Sequence, residues 1–518
     1  MEKYFNITGS CNPAMHYMVN LDSRLSEIRK MIDKGEYFTI NRGRQHGKTT
    51  ILKALKKYLS DDYIVVDMDF QFMSHSNFEN EEMFTRAFAR ELWRKKDLRS
   101  FMNNDVQEQV KELKKIGGVF AMGDLFGVLS EWCDEAEKPV VLMIDEVDSA
   151  SNNQVFIDFL AQLRGYYLDR DETSAFQSVI LAGVHDIRNI RQKIRPDAEH
   201  RHNSPWNIAS EFNVDMSFNV QDISGMLSDY ENDHKTGMNI QKISQLVYGY
   251  TSGYPVLVST LCKYMDEYFD WSKEGFLKSI NRIYRERLPL FESLINKLED
   301  NSELNNMLHS ILFDGRRYVF NSYDSTIATA VMYGFVKNNE DNGVVISNRI
   351  FETVVYDWFI SVEKTTSSIY SEGEADKNQF IQNGQLDMEL ILERFVIHFN
   401  DIYGNKPDKF IEDDGRKYFL LYLRPIINGT GNYYIEAQTR NQRRTDVIVD
   451  YLGNQYIIEL KIWHGDEYNS RGEQQLTDYL DYYHINKGYL LSFNFNKNKQ
   501  VGLQTIDIGD KTIVEAIV

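Results

Sequence analysis

Three groups of residues have types and spacings that could do chemistry. The first is Gly47-Lys48-Thr49-Thr50, which opens a segment with apolar Ile51, Leu52, Leu55 and Leu59 at helical spacing. A glycine, an ammonium and a hydroxyl at a helix start suit a phosphate chain. The first backbone N–H groups face the anion and the helix dipole favours its charge. Lys48 would reach the β- and γ-phosphates of a nucleotide, and the Thr49 hydroxyl would sit on Mg²⁺. The second group is Asp145-Glu146, 97 positions after Lys48 at the end of the apolar run Val140 to Ile144. Asp145 would hold Mg²⁺ through water and Glu146 would polarise an attacking water. The third group is Asp446, Glu459 and Lys461. Two carboxylates bind a divalent metal, and an ammonium beside them can orient or deprotonate water, which is what phosphodiester hydrolysis needs.

The elements that must position these groups can be read from the pattern. Glu36 to Ile40 is a short buried strand, and a glycine-interrupted loop, Asn41 to Gly47, leads to Lys48. The pattern G-x-x-x-x-G-K-[ST] wants glycine at position 42; the chain has Arg42, with Gly43 one place later. Gly43, Arg44, Gln45, His46, Gly47, Lys48, Thr49 and Thr50 are therefore the candidate nucleotide-binding residues. Further strands are expected over Tyr63 to Asp69, from Lys138 to the acids, and over Ser178 to Gly183. Six largely apolar residues before Asp145 indicate a strand buried on both faces, as in parallel sheets, with ligands at its C-terminal edge. His185 or Asp186, at the exit of the fourth strand, could sense a γ-phosphate. One of Arg164, Arg188, Arg191, Arg195 and Arg201 could act as an arginine finger, most of the others being surface charges. A helix is expected over Leu21 to Ile32. The lead-in His16 to Val19 is either a packing segment or a contact for an adenine ring.

Residues 216–300 read as helices around Tyr248 to Leu257, a stretch containing Gly253-Tyr254-Pro255. Residues 303–360 look like a winged helix: helices at Leu304 to Leu312 and Thr326 to Tyr333, a wing turn at Asn338 to Gly343, and an aromatic helix from Ile350 to Phe359. Few basic residues lie on the second helix, which favours a packing role over DNA binding. Glu363 to Gly384 is polar and reads as a linker. Met388 to Phe399 is an amphipathic helix, and another runs from Glu412 to Tyr422. Thr445 to Tyr451 alternates as a strand, and Tyr456 to Trp463 returns. A two-residue turn at Gly453-Asn454 would set Asp446 opposite Lys461 and Ile448 opposite Glu459, all on one face. Arg440, Arg443 and Arg444 form either a local basic patch for a phosphate backbone or a solvated turn cluster.

The 518 residues, 26% charged and 42% hydrophobic, suit about three globular domains. A net charge of −19 excludes broad coating of nucleic acid, so any such contact must be local. Cys11, Cys133 and Cys262 make no disulfide framework, consistent with a reducing cytoplasm. No apolar run approaches a membrane span of ~18 residues, and MEKYFNITGS has no signal-peptide core, so a protein without membrane contact is expected.

With these motifs in place the chain resembles an AAA-like ATPase family of bacteria and archaea, related to the STAND and AAA+ P-loop ATPases. Gly47-Lys48-Thr49, the apolar strand ending in Asp145-Glu146, Leu181-Ala182-Gly183-Val184-His185-Asp186 and Ser204-Pro205-Trp206-Asn207-Ile208-Ala209 carry the resemblance over about residues 10–365. Family loops read RPRRFGKS or similar, so Arg42 to His46 looks like a variant; Trp206 stands where the family has Phe. Gly253-Tyr254-Pro255 resembles the G-x-P lid motif, which implies that Pro255 approaches the nucleotide. Asp446, Glu459 and Lys461 resemble the PD-(D/E)XK nuclease core, with Thr445 in place of its proline. Gln475 and Tyr479 resemble a Q-x-x-x-Y arrangement of its members, and Glu412 stands where such folds place another acid. The resemblance implies Asp446, Glu459 and the intervening Leu460 as metal ligands. The resulting expectation is an α/β chain: a P-loop ATPase core (1–215), a helical lid (216–300), a winged-helix-like segment (301–365), a linker (366–385) and a nuclease-like domain (386–518). ATP and Mg²⁺ are the expected cofactors. Nucleic acid, DNA first, is the expected partner of the C-terminal domain, with a homo-oligomer or protein partner also implied. The alternative is an ATP-driven switch or scaffold whose nuclease-like fold only binds. A role in defence against foreign DNA rests on family analogy alone.

Overall fold

The computed structural model describes the chain apart from Met1, Asn152 and residues 185–205, 314–315, 364–366, 383, 404–411, 428–430, 435–446, 453, 463–472, 474–475, 478, 482–484 and 497–498. His185, Asp186, Arg188, Arg191, Arg195, Arg201, Arg440, Arg443, Arg444, Asp446 and Gln475 therefore lie outside the described residues. The chain divides into two compact units, one of Met1–His234 with Gly253–Thr260, the other of Lys235–Ser252 with Leu261–Val518.

The first unit is built on a four-stranded parallel sheet in the order β1-β4-β3-β2. The strands are β1 (Phe38–Asn41), β2 (Ile64–Asp69), β3 (Val140–Asp145) and β4 (Ser178–Gly183). β3 and β4 are buried along their whole length, as their unbroken apolar sequences require. Alternate side chains feed two cores. On one face Val65, Val141, Met143 and Ile180 meet Leu25, Ile28 and Ile32 of α1 (Asp22–Asp33) and Ile51, Leu55 and Leu59 of α2 (Lys48–Leu59). On the other, Val66, Leu142, Ile144 and Leu181 meet the helices between β2 and β4. These are α3 (Glu81–Arg94), α4 (Lys96–Arg99), α5 (Asn104–Leu113), α6 (Met122–Glu135) and α7 (Gln154–Leu168). Phe84, Phe88, Phe126, Phe156 and Phe159 fill this second core. At roughly 2 kcal/mol for each fully buried large apolar side chain, these two layers are what fix the strand ends in space.

The second unit opens with helices Ile240–Thr251, Lys273–Arg285 and Pro289–Asp300. Helices Ser302–Phe313 and Ser325–Tyr333 follow, then an antiparallel hairpin of β5 (Val336–Asn338) and β6 (Val344–Ile346), then helix Arg349–Glu363. Within the stretch 363–384, expected as a linker, the described residues 367–382 are folded instead. Helix Ser368–Asp376 buries Ile369 and sets Gly373 where an added Cβ would stand 2.1 Å from the Tyr422 carbonyl oxygen. Asp376 accepts the Tyr422 hydroxyl at 3.1 Å and pairs with His398 Nε2 at 2.7 Å. The polar composition is that of a surface helix: Ile369 is buried, while Ser368, Ser371, Glu374 and Ala375 are exposed. A two-residue strand pair, β7 (Ile381–Gln382) and β8 (Gln385–Leu386), completes the stretch.

Helices Met388–Tyr403 and Glu412–Ile427 precede a six-stranded sheet in the order β13-β14-β12-β11-β10-β9. Its strands are β9 (Gly431–Tyr434), β10 (Val447–Tyr451), β11 (Asn454–Ile462), β12 (Lys487–Phe493), β13 (Gly502–Ile508) and β14 (Lys511–Ile517). β11, β12 and β14 run parallel, and the other pairings are antiparallel. The β10–β11 register differs from the expected one by two residues. Tyr451 pairs with Asn454, so the turn falls one position earlier and Leu452 takes φ +50°. Ile448 consequently stands opposite Ile457, not Glu459. A slip of two leaves every side chain on its expected face, because the strand period is two.

Candidate active sites

In the first unit, parallel strands carry their chemistry to one sheet edge. Gly47, the N-cap of α2, adopts φ +83°, a conformation that glycine holds without strain and that turns the loop sharply into the helix. Lys48 follows and is buried; its ammonium donates to the carbonyl oxygens of Arg42 at 2.9 Å and Gly43 at 3.1 Å. A cation folded back onto its own loop's carbonyls is held where an incoming polyphosphate can take it over. Burial pulls the Lys48 pKa below its usual value, while Glu146, Asp148 and Asp145 push it back up.

The β3 end meets this loop directly. Thr49 Oγ1 donates to Asp145 Oδ2 at 2.7 Å, so residues 96 apart in sequence share one hydrogen bond. Asp145 Oδ1 accepts the Glu146 backbone N–H at 3.0 Å, and Glu146 itself sits at φ +53°. A non-glycine residue there costs of order 1 kcal/mol, and such strain collects at functional positions. Burial, then the neighbouring Asp145 carboxylate, raises the Glu146 pKa. A raised carboxyl is closer to neutral operating pH and a better proton acceptor. Asp148, which no sequence signal singles out, accepts the Val184 N–H at 2.5 Å and so ties the β4 exit to the β3 exit.

Beside the loop lies a cleft. Met18, Val19, Leu21, Ile51, Met216, Phe218 and Pro255 give it apolar walls, while Gln45, His46, Gly47 and Thr50 bring in the loop. Apolar walls with a few polar groups suit a planar base with its sugar. Thr50 Oγ1 accepts the Cys11 N–H at 3.0 Å, which fastens the N-terminal lead-in to the loop. The lead-in itself places Met18 and Val19 in the wall, a position that fits both of its sequence readings.

Tyr254, between Gly253 and Pro255, is a site residue that sequence reasoning missed, although the Gly-Tyr-Pro triplet marked it. Its hydroxyl donates to the Arg44 carbonyl at 2.6 Å, and its ring packs edge-on against His46 with centroids 4.6 Å apart. Gly253 holds φ +74°, and a Cβ there would stand 1.9 Å from the Phe218 carbonyl oxygen. Its own carbonyl accepts the Phe218 N–H at 2.9 Å. His46 is pushed down to about 3 by burial, with Arg42 and Lys48 adding to the shift, so its imidazole is neutral near pH 7.

In the second unit Glu459 and Lys461 lie two apart on β11, on one face. Glu459 exposes 0% of its side chain and Lys461 13%, and Lys461 Nζ stands 3.0 Å from Glu459 Oε1. Leu460, between them, is buried and pairs with Leu491 of β12. Leu476 and Leu480 pack on Ile457, Leu490 and Ile513. Glu412 opens the helix Glu412–Ile427, and Tyr479 is buried. Among the described residues no group of three or more His, Cys, Asp or Glu is arranged to hold a metal ion. No helix among them is long and apolar enough to cross a membrane.

A family model described as an AAA-like domain matches residues 13–356. Among solved structures the chain is similar to a Walker-type ATPase of Pyrococcus abyssi, at 12% identity over 68% of this chain and 99% of that one, with a TM-score of 0.45. It is similar also to Cdc6p from Pyrobaculum aerophilum, at 13% identity over 69% of this chain and 97% of that one, with a TM-score of 0.33. No curated protein matches it.

Proposed function

The chain belongs to the AAA-like domain family, and on that premise we propose that it binds and hydrolyses ATP with Mg²⁺ and uses this cycle to control a C-terminal nuclease domain that cleaves nucleic acid. The observation that carries the first half is the Thr49–Asp145 hydrogen bond beside a buried Lys48. A hydroxyl and a carboxylate joined at a sheet edge are the donor set a magnesium–phosphate ligand needs, and Lys48 supplies the neighbouring positive charge. Thr49 and Asp145 would hold Mg²⁺, which neutralises charge on the phosphates when bound. Lys48 would take the β- and γ-phosphates, Gly43 to Thr50 would cradle them, and Pro255 would close the cleft over the base. Glu146, with its raised pKa, would orient the attacking water and accept its proton.

The second half rests on Glu459 and Lys461 side by side on β11. Glu459, Asp446 and the Leu460 carbonyl would hold the metal, and Lys461 would orient the attacking water. One observation favours the competing reading, a switch whose nuclease-like domain only binds: Glu459 is fully buried and already paired with Lys461.

Plasmid and single-strand cleavage with Mg²⁺, with and without ATP, decides between them. Lys48→Ala should lower nucleotide affinity by at least roughly a hundredfold, since it removes the phosphate-facing charge. Glu459→Ala should abolish cleavage while leaving nucleotide binding intact. No cleavage by the unmodified protein under any condition, with ATP still bound, leaves the switch.

A further inference from the structure

We propose that the helical insertion between β2 and β3 carries a second, independent nucleic-acid contact: a cation-ringed tryptophan that grips the phosphate backbone. Three cations converge on the Trp93 ring of α3. Arg99 lies 4.9 Å from the ring centroid, Lys111 5.3 Å and Lys114 4.4 Å. Like charges gathered on one ring repel each other, and cation–π attraction repays only part of that.

Their counter-charges are incomplete. Lys111 pairs with Glu108 and the neighbouring Lys115 with Glu112. Among the described residues no carboxylate stands within ion-pairing distance of Arg99 or Lys114. The stretch from Arg90 to Lys115 holds eight Lys and Arg against five Asp and Glu, in a chain of net charge −19. A local excess of the minority sign is where a polyanion would dock.

The cluster is also preorganised. Gln107 Nε2 donates to the carbonyls of Arg99 and Met102, both at 3.0 Å, which pins the α4–α5 corner so that both helices present cations to one ring. Just past Lys114, Ile116 is 94% and Val119 88% exposed, on a turn through Gly117. Apolar side chains flanked by cations suit a wedge against a base stack. An anionic membrane is the weaker reading. Ile116 and Val119 together carry roughly half the carbon of one myristoyl chain, and one such chain alone anchors only marginally.

The test is fluorescence anisotropy of the full chain with a labelled 30-base-pair duplex across a salt series in EDTA, which keeps cleavage out of the readout. Arg99→Gln/Lys111→Gln/Lys114→Gln should bind roughly tenfold or more weakly at low salt. Its salt slope should fall by about two to three, at ~0.9 for each phosphate that the variant no longer neutralises. Its ATP hydrolysis should stay unchanged, since none of the three lines the nucleotide cleft, and its melting temperature should not fall, since the variant relieves the repulsion among the cations. A triple variant with the parent's affinity and slope would overturn the proposal. So would parent protein that binds phosphatidylserine vesicles or polyglutamate as tightly as it binds the duplex. None of these outcomes depends on whether the C-terminal domain cuts.

Discussion

The two candidate sites bury their charges by opposite strategies. At the edge of the parallel sheet each group comes from a different element: Lys48 and Thr49 from the start of α2, Asp145 from β3, Tyr254 from the Gly-Tyr-Pro segment. Thr49 comes within 2.7 Å of Asp145 because α2 starts at the sheet edge where the parallel strand β3 ends. The charges meet backbone carbonyls and hydroxyls, and a cleft stands beside them. In the C-terminal sheet, Glu459 and Lys461 come from one strand and meet each other. A site assembled from separate elements has partners to exchange for a ligand. Where two charges on one strand pair with each other, that pair must be broken before either can take a ligand.

The largest effect that would sharpen this contrast concerns the self-paired site. Lys461→Met removes the ammonium from beside a carboxylate with 0% exposure and should cost about 3 kcal/mol. Glu459→Gln leaves a lysine that keeps 13% of its surface in water, and should cost about 1 kcal/mol. Denaturant midpoints of the two variants read the asymmetry. Equal losses would mean that the pair is not what holds Glu459 in the sheet.

The difference also explains what the sequence made legible. The loop and the β3 end that meet in the first unit each have a local signal, a glycine before Lys48 and an apolar run before Asp145, whereas the contacts of Tyr254 with Arg44 and His46 have none. The β10–β11 hairpin has one weak signal, its turn, and Gly453-Asn454 pointed one position too far. Leu452 accepts a left-handed conformation that its side chain does not favour, so no residue type announced the true turn. The folded stretch after Glu363 is illegible for another reason. Its packing depends on Gly373 nesting against the Tyr422 backbone, a contact between distant segments that composition does not record.

The pH dependence of stability is the next test, and it separates the sites by which groups titrate. His46 is held near 3 in the folded chain and near its ordinary 6.5 when unfolded. The unfolded chain therefore binds more protons below 6.5, and the stability contributed by the neutral imidazole is present above that value and lost as pH falls toward 3. From pH 7 to pH 5 the loss from this group is about 2 kcal/mol. His46→Gln should flatten the melting-temperature profile over that interval. A profile unchanged by the substitution would mean that His46 is solvated well enough to titrate normally.

The smallest effect probes the latch directly. Tyr254→Phe keeps the ring against His46 and removes only the hydroxyl that donates to Arg44 at 2.6 Å. One neutral hydrogen bond to a backbone carbonyl is worth about 1 kcal/mol. The loop that cradles the phosphates would lose one of its outside supports, so nucleotide affinity should fall about fivefold, as that free energy converts. Isothermal titration with a non-hydrolysable ATP analogue reads this expectation. An affinity equal to that of the parent would mean that the loop keeps its shape without Tyr254. The first site would then be as self-contained as the second, and the contrast between them would reduce to the cleft alone.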